Sequence, residues 1–175
     1  MSLVFGILTH NNCLILAADK RAKKDGIIDD NFTKVFCLRE NLYFGITGIA
    51  EYGLAVKDIL QPHINSPIEE FINFANSIYI PNNTSSSIMI CGRHTNNVAF
   101  IWSKNTKGEV TYMETLAEGI QWTINTSINL KLIDLKFGSE IQSSNIDYDI
   151  AIKKTFEYAA TIDDSISSIY EVFKI

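Results

Sequence analysis

The chain has 175 residues, which is enough for one domain with a substantial core and too few for two ordinary ones. Its 46% hydrophobic and 20% charged residues exclude intrinsic disorder. The formal net charge of −5 excludes nucleic acid and anionic membranes as expected partners, because their phosphates would be repelled. We therefore predict a single domain spanning residues 1–175.

The start of the chain and its cysteines indicate a cellular compartment. No apolar stretch approaches the roughly 20 residues of a membrane helix, and the first residues lack the features of a signal peptide. Three cysteines in apolar runs favour buried reduced thiols over a disulfide framework, and they are Cys13, Cys37 and Cys91. Together these features predict a cytoplasmic protein. Met1-Ser2-Leu3 is either the native start or an added leader.

The first fifty residues predict two β-hairpins. The apolar runs Leu3–Thr9 and Cys13–Ala18 are separated by asparagines, which tolerate left-handed turn geometry. The runs Lys34–Leu38 and Leu42–Thr47 flank a polar turn in the same way, and Gly48 then ends the last strand. The chain therefore begins with four short strands.

Two helices are predicted next. From Ile49 onward, apolar residues recur at the spacing of one helical face. The second helix has Ser66 as its N-cap, Pro67 in its first turn and Glu69 at the capping-box position. The apolar stripe that follows is typical of a core or a subunit interface rather than a ligand pocket, and it consists of Phe71, Phe74 and Ile78.

The second half of the chain returns to strands. The segments Ser87–Cys91, Val98–Trp102 and Val110–Met113 are separated by turn-forming residues and predict a meander. The segment Leu116–Gly138 mixes strand and helix spacing, so its structure stays undecided.

The last part of the chain completes the pattern of elements. Asp147 is predicted to cap a third helix, and Ile169–Ile175 has the composition of a closing strand. With strands, two helices, strands, a helix and a strand in this order, most neighbouring strands are antiparallel. The helices then pack on the outer faces of stacked sheets, which predicts an α+β sandwich.

Four segments of the first fifty residues form an ordered set: they are Gly6-Ile7, Leu16-Ala17-Ala18-Asp19-Lys20-Arg21-Ala22, Lys34-Val35-Phe36 and Gly45-Ile46-Thr47-Gly48-Ile49-Ala50. In that order and at those intervals, they resemble the first third of proteasome β-type subunits of the N-terminal-nucleophile (Ntn) hydrolase superfamily. Near the end, Asp164-Ser165-Ile166-Ser167-Ser168 is similar to the Asp-Ser-x-Ser turn of that family. The resemblance implies a four-layer α-β-β-α sandwich.

The resemblance implies a nucleophile at the start of the processed chain. In the family, the hydroxyl of the first residue attacks, and the α-amino group of the same residue is the base. Alignment backwards from Gly6 places Ser2 at or near that position, where the family usually has threonine. Met1 must be removed, since an acylated Ser2 nitrogen cannot act as a base. A serine that the family supplies from a Gly-Ser-Gly-Ser loop has no counterpart in residues 116–120.

The resemblance also assigns the charged and main-chain groups of the site. Lys34 and Asp19 match a lysine that raises the positive potential at the nucleophile and an aspartate that pairs with it. Arg21 matches a neighbouring basic residue, and the N–H of Gly48 matches the donor that stabilises the oxyanion.

Other polar residues have less specific patterns. Asp164 and Ser167 match the pair that orients the amino terminus in the family, although the residues alone equally fit a helix end and an ordinary turn hydroxyl. Arg93 is predicted to be a solvated charge at a strand end. The histidines lack metal-ligand spacing and are predicted to lie on the surface, so no metal or cofactor is expected; they are His10, His63 and His94.

Three functions remain open at this point. The first is a threonine/serine-type peptidase subunit that acts on peptides within a homo-oligomeric ring, with an ATPase as a possible partner. The second is a ring subunit that kept the fold and lost the chemistry, which the missing serine loop favours. The third is a non-proteolytic amidohydrolase of the same superfamily. Retention of both Asp19 and Lys34 favours the first, because a buried charged pair is costly to keep without use.

Overall fold

The structure, a computed structural model, describes residues 2–82, 85–115, 119–126, 128–145 and 147–175. Strands and helices follow one another along the chain largely in the order that the hydrophobic pattern predicts. The strands are β1 Leu3–Thr9, β2 Leu14–Asp19, β3 Ala22–Lys24, β4 Ile27–Asp29, β5 Val35–Arg39, β6 Leu42–Thr47, β7 Ser87–Arg93, β8 Ala99–Asn105, β9 Val110–Glu114, β10 Ile120–Thr126 and β11 Tyr170–Lys174. The helices are α1 Ala50–Leu60, α2 Ile68–Ser77, α3 Leu130–Ser143 and α4 Tyr148–Ile162, and residues Gln61–His63 form a 3-10 turn after α1.

Two antiparallel sheets form the centre of the fold. One has the strand order β10-β1-β2-β11, and the other has the order β5-β6-β7-β8-β9. In both sheets, strands adjacent in the chain are joined mainly by short turns, and each pairing is antiparallel. Strands β3 and β4 form a separate small hairpin.

The two sheets pack face to face, and the helices cover their outer faces. Val4 and Leu16 of one sheet pack with Met89 and Ile101 of the other. Helices α1 and α2 lie on the outer face of the five-stranded sheet, whereas α3 and α4 lie on that of the four-stranded sheet. The layers therefore run α-β-β-α, which confirms the predicted α+β class and four-layer sandwich.

Strand β1 illustrates why the apolar runs are nearly continuous. All seven of its residues are buried, with Phe5 turned towards α3 and α4 and Val4 towards the second sheet. At its centre, a Cβ on Gly6 would lie 2.9 Å from Ile101 Cδ1 and 3.0 Å from Met89 Sδ. A larger residue would therefore require the side chains of Ile101 and Met89 to shift in the tightly packed space between the sheets.

The start of α2 differs from the prediction. The N-cap is Pro67, with φ −50° and ψ 145° and no side-chain cap bond, so Ser66 as N-cap in a capping box with Glu69 is wrong. Because the proline ring holds this extended residue immediately before the helix, the helix begins at Ile68. Phe71 is fully buried as predicted, while Ile78 lies just beyond the helix in extended conformation.

The segment Leu116–Gly138, whose structure the sequence left undecided, contains a strand followed by the start of a helix. Strand β10 ends at Thr126, and α3 begins at Leu130. Because the two are so close, the spacing of apolar residues over the whole segment mixes the two-residue period of a strand with the 3.6-residue period of a helix. Asn129 caps α3 by accepting a hydrogen bond from the N–H of Leu132. The prediction that Asp147 caps a helix agrees with the structure, since its side chain accepts from the N–H of Ile150.

Two further expectations about side chains are wrong. Cys37 is exposed, whereas Cys91 is buried and Cys13 is partly buried, and all three are free thiols. Arg93 is not a solvated charge, because its guanidinium donates to the carbonyl oxygens of Asn12 and Ile175 at 2.7 and 2.8 Å. These carbonyls meet at the end of β7, where Arg93 donates a hydrogen bond to each of them.

His94 also departs from its predicted surface position. Only 13% of its side chain is exposed, and its two ring nitrogens lie 3.3 Å from Glu69 and 3.1 Å from Glu114. Its Nε2 is also 2.8 Å from the hydroxyl of Tyr112. The side chain therefore links α2 to the outer strand β9. Within the described ranges, no helix has the length and apolar character needed to span a membrane.

Candidate active site

The carboxylate of Asp19 joins three separate parts of the chain. It ends β2 and is 0% exposed. Its Oδ1 accepts a hydrogen bond from the N–H of Leu3 at 2.7 Å, and its Oδ2 accepts from Lys34 Nζ at 2.7 Å. Oδ2 also accepts from the N–H groups of Arg21 and Ser167, at 3.1 and 3.4 Å. Asp19 is thus a fully hydrogen-bonded buried anion that holds the start of β1 beside Lys34.

Lys34 lies directly before β5 and is 2% exposed. Burial lowers the pKa of Lys34 below its usual range, while the negative charges of Asp19 and Glu171 act in the opposite direction. The contact of 2.7 Å with Asp19 is a charge-assisted hydrogen bond in a water-poor environment. The ammonium therefore supplies a concentrated positive potential at this point of the fold.

Ser2 is 4% exposed and stands immediately before β1. Ser2, Lys34 and Gly48 line one cleft with a volume of about 580 Å³. Its floor and walls combine polar groups with apolar side chains, among them Phe32 and Ile46. The sequence-predicted hydroxyl, ammonium and main-chain donor are therefore brought to a single concave site, which is the usual form of a small-ligand or active site.

Gly48 occupies the junction between β6 and α1 with φ +84°. A Cβ at this position would lie 2.5 Å from Ser86 Cα and 2.6 Å from the carbonyl oxygen of Ser85. The side chain of Ser86 also accepts a hydrogen bond from the N–H of Ile49 at 3.1 Å. Glycine is thus required here by both the left-handed backbone and the close approach of the neighbouring chain.

Asp164 and Ser167 occupy the turn after α4 and have different surroundings. The carboxylate of Asp164 pairs with Lys23 at 2.8 Å, its side chain is 78% exposed, and Lys23 lowers its pKa. The N–H of Ser167 donates to Asp19, and its hydroxyl accepts from the N–H of Ile169 at 3.0 Å. The structure therefore joins Ser167 to the buried cluster and places the Asp164 side chain at its outer edge.

Arg21 connects this turn to the cleft. Its guanidinium holds Asp30 through two hydrogen bonds of 2.6 and 2.9 Å and donates to the carbonyl oxygen of Asp164 at 2.8 Å. The pKa of Arg21 is raised and that of Asp30 lowered by this pairing. This bidentate contact fixes the position of the Arg21 guanidinium at the rim of the cleft.

Three participants were not identified from the sequence. They are Asp30, which anchors Arg21, Ser86, which contacts the junction at Gly48, and Glu171, which contacts the main chain of Lys34. Each contacts a partner far along the chain or across a turn, and no local spacing rule connects such residues. Residues 116–118, where a further serine was sought, lie outside the described residues. In the part of the chain that is described, no group of three or more metal-ligating side chains occurs.

Comparison with known proteins agrees with this architecture. Residues 4–67 match the family model of the proteasome subunit, a segment that contains Asp19, Lys34 and Gly48. The fold is similar to that in the crystal structure of eukaryotic HslV from Trypanosoma brucei, with a TM-score of 0.72 and 13% identity over 98% of both chains. No curated protein sequence matches the chain. These findings confirm the resemblance to proteasome β-type subunits at the level of the fold.

Proposed function

Because the chain has the proteasome-like fold of the Ntn hydrolases, we propose that it is a peptidase subunit whose nucleophile is the hydroxyl of Ser2. The observation that carries this proposal is the buried ion pair of Lys34 and Asp19 in the cleft that Ser2 also lines. Such a pair has a high desolvation cost and is weak evidence for stability, so its presence at a cleft favours a chemical role.

The proposed reaction begins once Met1 has been removed. The free α-amino group of Ser2 takes the proton of the Ser2 hydroxyl, and the oxygen attacks the carbonyl carbon of a peptide bond. The N–H of Gly48 donates to the oxygen that becomes negatively charged. Return of the proton to the leaving amine breaks the C–N bond and leaves an ester on Ser2, which water then hydrolyses.

Lys34 acts through its charge in this proposal. A nearby ammonium disfavours protonation of the Ser2 amine and stabilises the developing alkoxide, so the amine is a competent base near neutral pH. Asp19 keeps Lys34 charged and also holds the N–H of Leu3, which sets the position of the preceding residue. No histidine is needed, and His94 follows the end of β7 that lies opposite to Ser87, the residue paired with Thr47 of the cleft.

The experiment that tests the proposal compares protein with and without Met1. Intact mass identifies the first residue, and a panel of fluorogenic peptides measures hydrolysis. We expect activity only in Met1-free protein, since the lone pair of an acylated nitrogen is delocalised into the carbonyl group and does not accept the proton. Ser2→Ala, which keeps the amine and loses the hydroxyl, is the matched inactive control, and Ser2→Thr should remain active.

Failure of Met1-free protein to cleave any peptide would contradict the peptidase proposal. Two outcomes then distinguish the remaining functions. Hydrolysis of small amides alone would support the non-proteolytic amidohydrolase, and inactivity on every substrate would support the silent ring subunit.

We also propose that the subunit assembles in the cytoplasm into a closed homo-oligomeric ring, with an ATPase as a candidate partner. The proteasome-like fold supports the ring, and exposed apolar side chains such as Ile27 and Ile28 of the β3–β4 hairpin suit burial by neighbouring copies. Sedimentation at micromolar concentration should show one closed assembly. A strictly monomeric species would contradict the proposed ring. It would not affect the proposed peptidase chemistry, which the peptide assay tests separately.

A further inference from the structure

Glu171 lies close to the buried ion pair although it is far from both partners along the chain. It is the second residue of β11, and its neighbour Tyr170 is paired with Asp19 across the sheet. Its half-buried carboxylate accepts hydrogen bonds at Oε1 from the N–H groups of Lys34 and Val35, each at 3.3 Å. One side chain therefore contacts the main chain on both sides of the Lys34 carbonyl.

These contacts connect the two sheets at their edges. Strand β11 is an edge of the four-stranded sheet, and β5, which Lys34 precedes, is an edge of the five-stranded sheet. An edge strand presents main-chain donors that need partners, and here Glu171 supplies the acceptor. From the five-stranded sheet, the N–H of Ile46 in β6 donates to the carbonyl of Lys34 at 3.0 Å. The Lys34 main chain is thus held from both sheets.

The charge of Glu171 adds to this geometry. The charged groups that face Lys34 are Asp19 from β2, Glu171 from β11, and Arg21 from the segment between β2 and β3. The two carboxylates favour the ammonium, while Arg21 and burial favour the neutral amine. Glu171 therefore helps to offset the desolvation of Lys34 without occupying the position of Asp19.

We propose that Glu171 is a positioning residue for Lys34, holding the main chain from which the ammonium projects and placing a second negative charge near it. The catalytic consequence rests on the proposed peptidase function, but the structural and electrostatic role does not.

Two substitutions separate the two parts of this role. Glu171→Gln keeps an acceptor oxygen and removes the charge, whereas Glu171→Leu removes both. Protein labelled with ¹³C at lysine Cε gives the titration of Lys34 directly, with its signal assigned as the one missing from Lys34→Arg. Glu70→Gln, an exposed position on α2, is the matched control for the loss of one carboxylate.

For Glu171→Gln we expect the Lys34 titration to move to lower pH, with the contact between Lys34 and Asp19 retained in a crystal structure. The alkaline limb of kcat/KM should move down by the same amount, with KM unchanged. Glu171→Leu should in addition lose about tenfold or more in kcat at neutral pH, because Lys34 is displaced. Glu70→Gln should change neither quantity.

An unchanged Lys34 titration in Glu171→Gln would overturn the electrostatic part of the proposal. An unchanged Lys34–Asp19 contact together with unchanged kcat in Glu171→Leu would overturn the positioning part. If wild-type protein hydrolyses nothing but Glu171→Gln still shifts the titration of Lys34, the proposed function fails and the role of Glu171 stands.

Discussion

Lys34→Ala is expected to reduce kcat/KM of the Met1-free protein by about 100-fold or more and to lower its free energy of unfolding by about 3 kcal/mol. The substitution leaves the 0% exposed carboxylate of Asp19 without its counter-charge. Three main-chain N–H groups, those of Leu3, Arg21 and Ser167, still donate to that carboxylate and limit the loss of stability. Urea unfolding and peptide hydrolysis measure the two effects on the same sample.

Two variants serve as controls for Lys34→Ala. Lys153→Ala removes an exposed lysine that lies 3.9 Å from Glu157 on α4, and it should change stability by no more than about 0.5 kcal/mol. Combining Lys34→Ala with Asp19→Asn removes both buried charges, so part of the stability should return while activity stays low. Wild-type activity in folded Lys34→Ala would show that the ammonium has no catalytic role.

Gly48→Ala is expected to lower the free energy of unfolding by about 3 kcal/mol and to reduce hydrolysis sharply. At φ +84°, an L side chain is strained, and the added Cβ would meet main-chain atoms of Ser85 and Ser86 at 2.6 and 2.5 Å. Main-chain atoms cannot rotate away as a flexible side chain does, so the junction between β6 and α1 must shift. The proposed oxyanion donor would move with it, which is measurable as a loss of kcat.

Gly108→Ala provides the matched control for this prediction. Gly108 has a similar φ of +77°, but a Cβ there would have nothing within 4 Å. It should therefore lose only about 1 kcal/mol, from backbone strain alone. Equal losses of stability in the two variants would show that the close approach of residues 85 and 86 to Gly48 does not contribute to the loss of unfolding free energy.

The central strands are predictable from the sequence because both of their faces are buried. Strand β1 coincides with its predicted bounds, Leu3–Thr9, since a run of apolar residues between turn residues has few other structures available. The order of elements then leads to stacked antiparallel sheets with outer helices. The resemblance to proteasome β-type subunits adds the assignment of Asp19, Lys34 and Gly48 to one site, which residue pattern alone does not provide.

Elements whose form depends on neighbours were not predictable in the same way. Helix α3 follows β10 after a short connection, so local periodicity merges the two. Arg93 was predicted as a solvated strand end and His94 as a surface residue, yet Arg93 is held by carbonyl oxygens of the β1–β2 turn and the last residue, and His94 by carboxylates of α2 and β9. Their roles depend on which loops and helix ends meet at the end of β7, and that is a property of packing.

By itself, the sequence determined most strands of the two sheets, the helices α1, α2 and α4 and the residue types at the strand ends, because burial and turn chemistry act locally along the chain. Only the tertiary structure decided which of these ends meet. The N–H of Ser167 reaches Asp19 across 148 positions, and Glu171 reaches the N–H of Lys34 across 137. Such contacts arise when two sheets stack and their edges align. Their geometry is set by the packing of whole layers, which no short segment of sequence specifies.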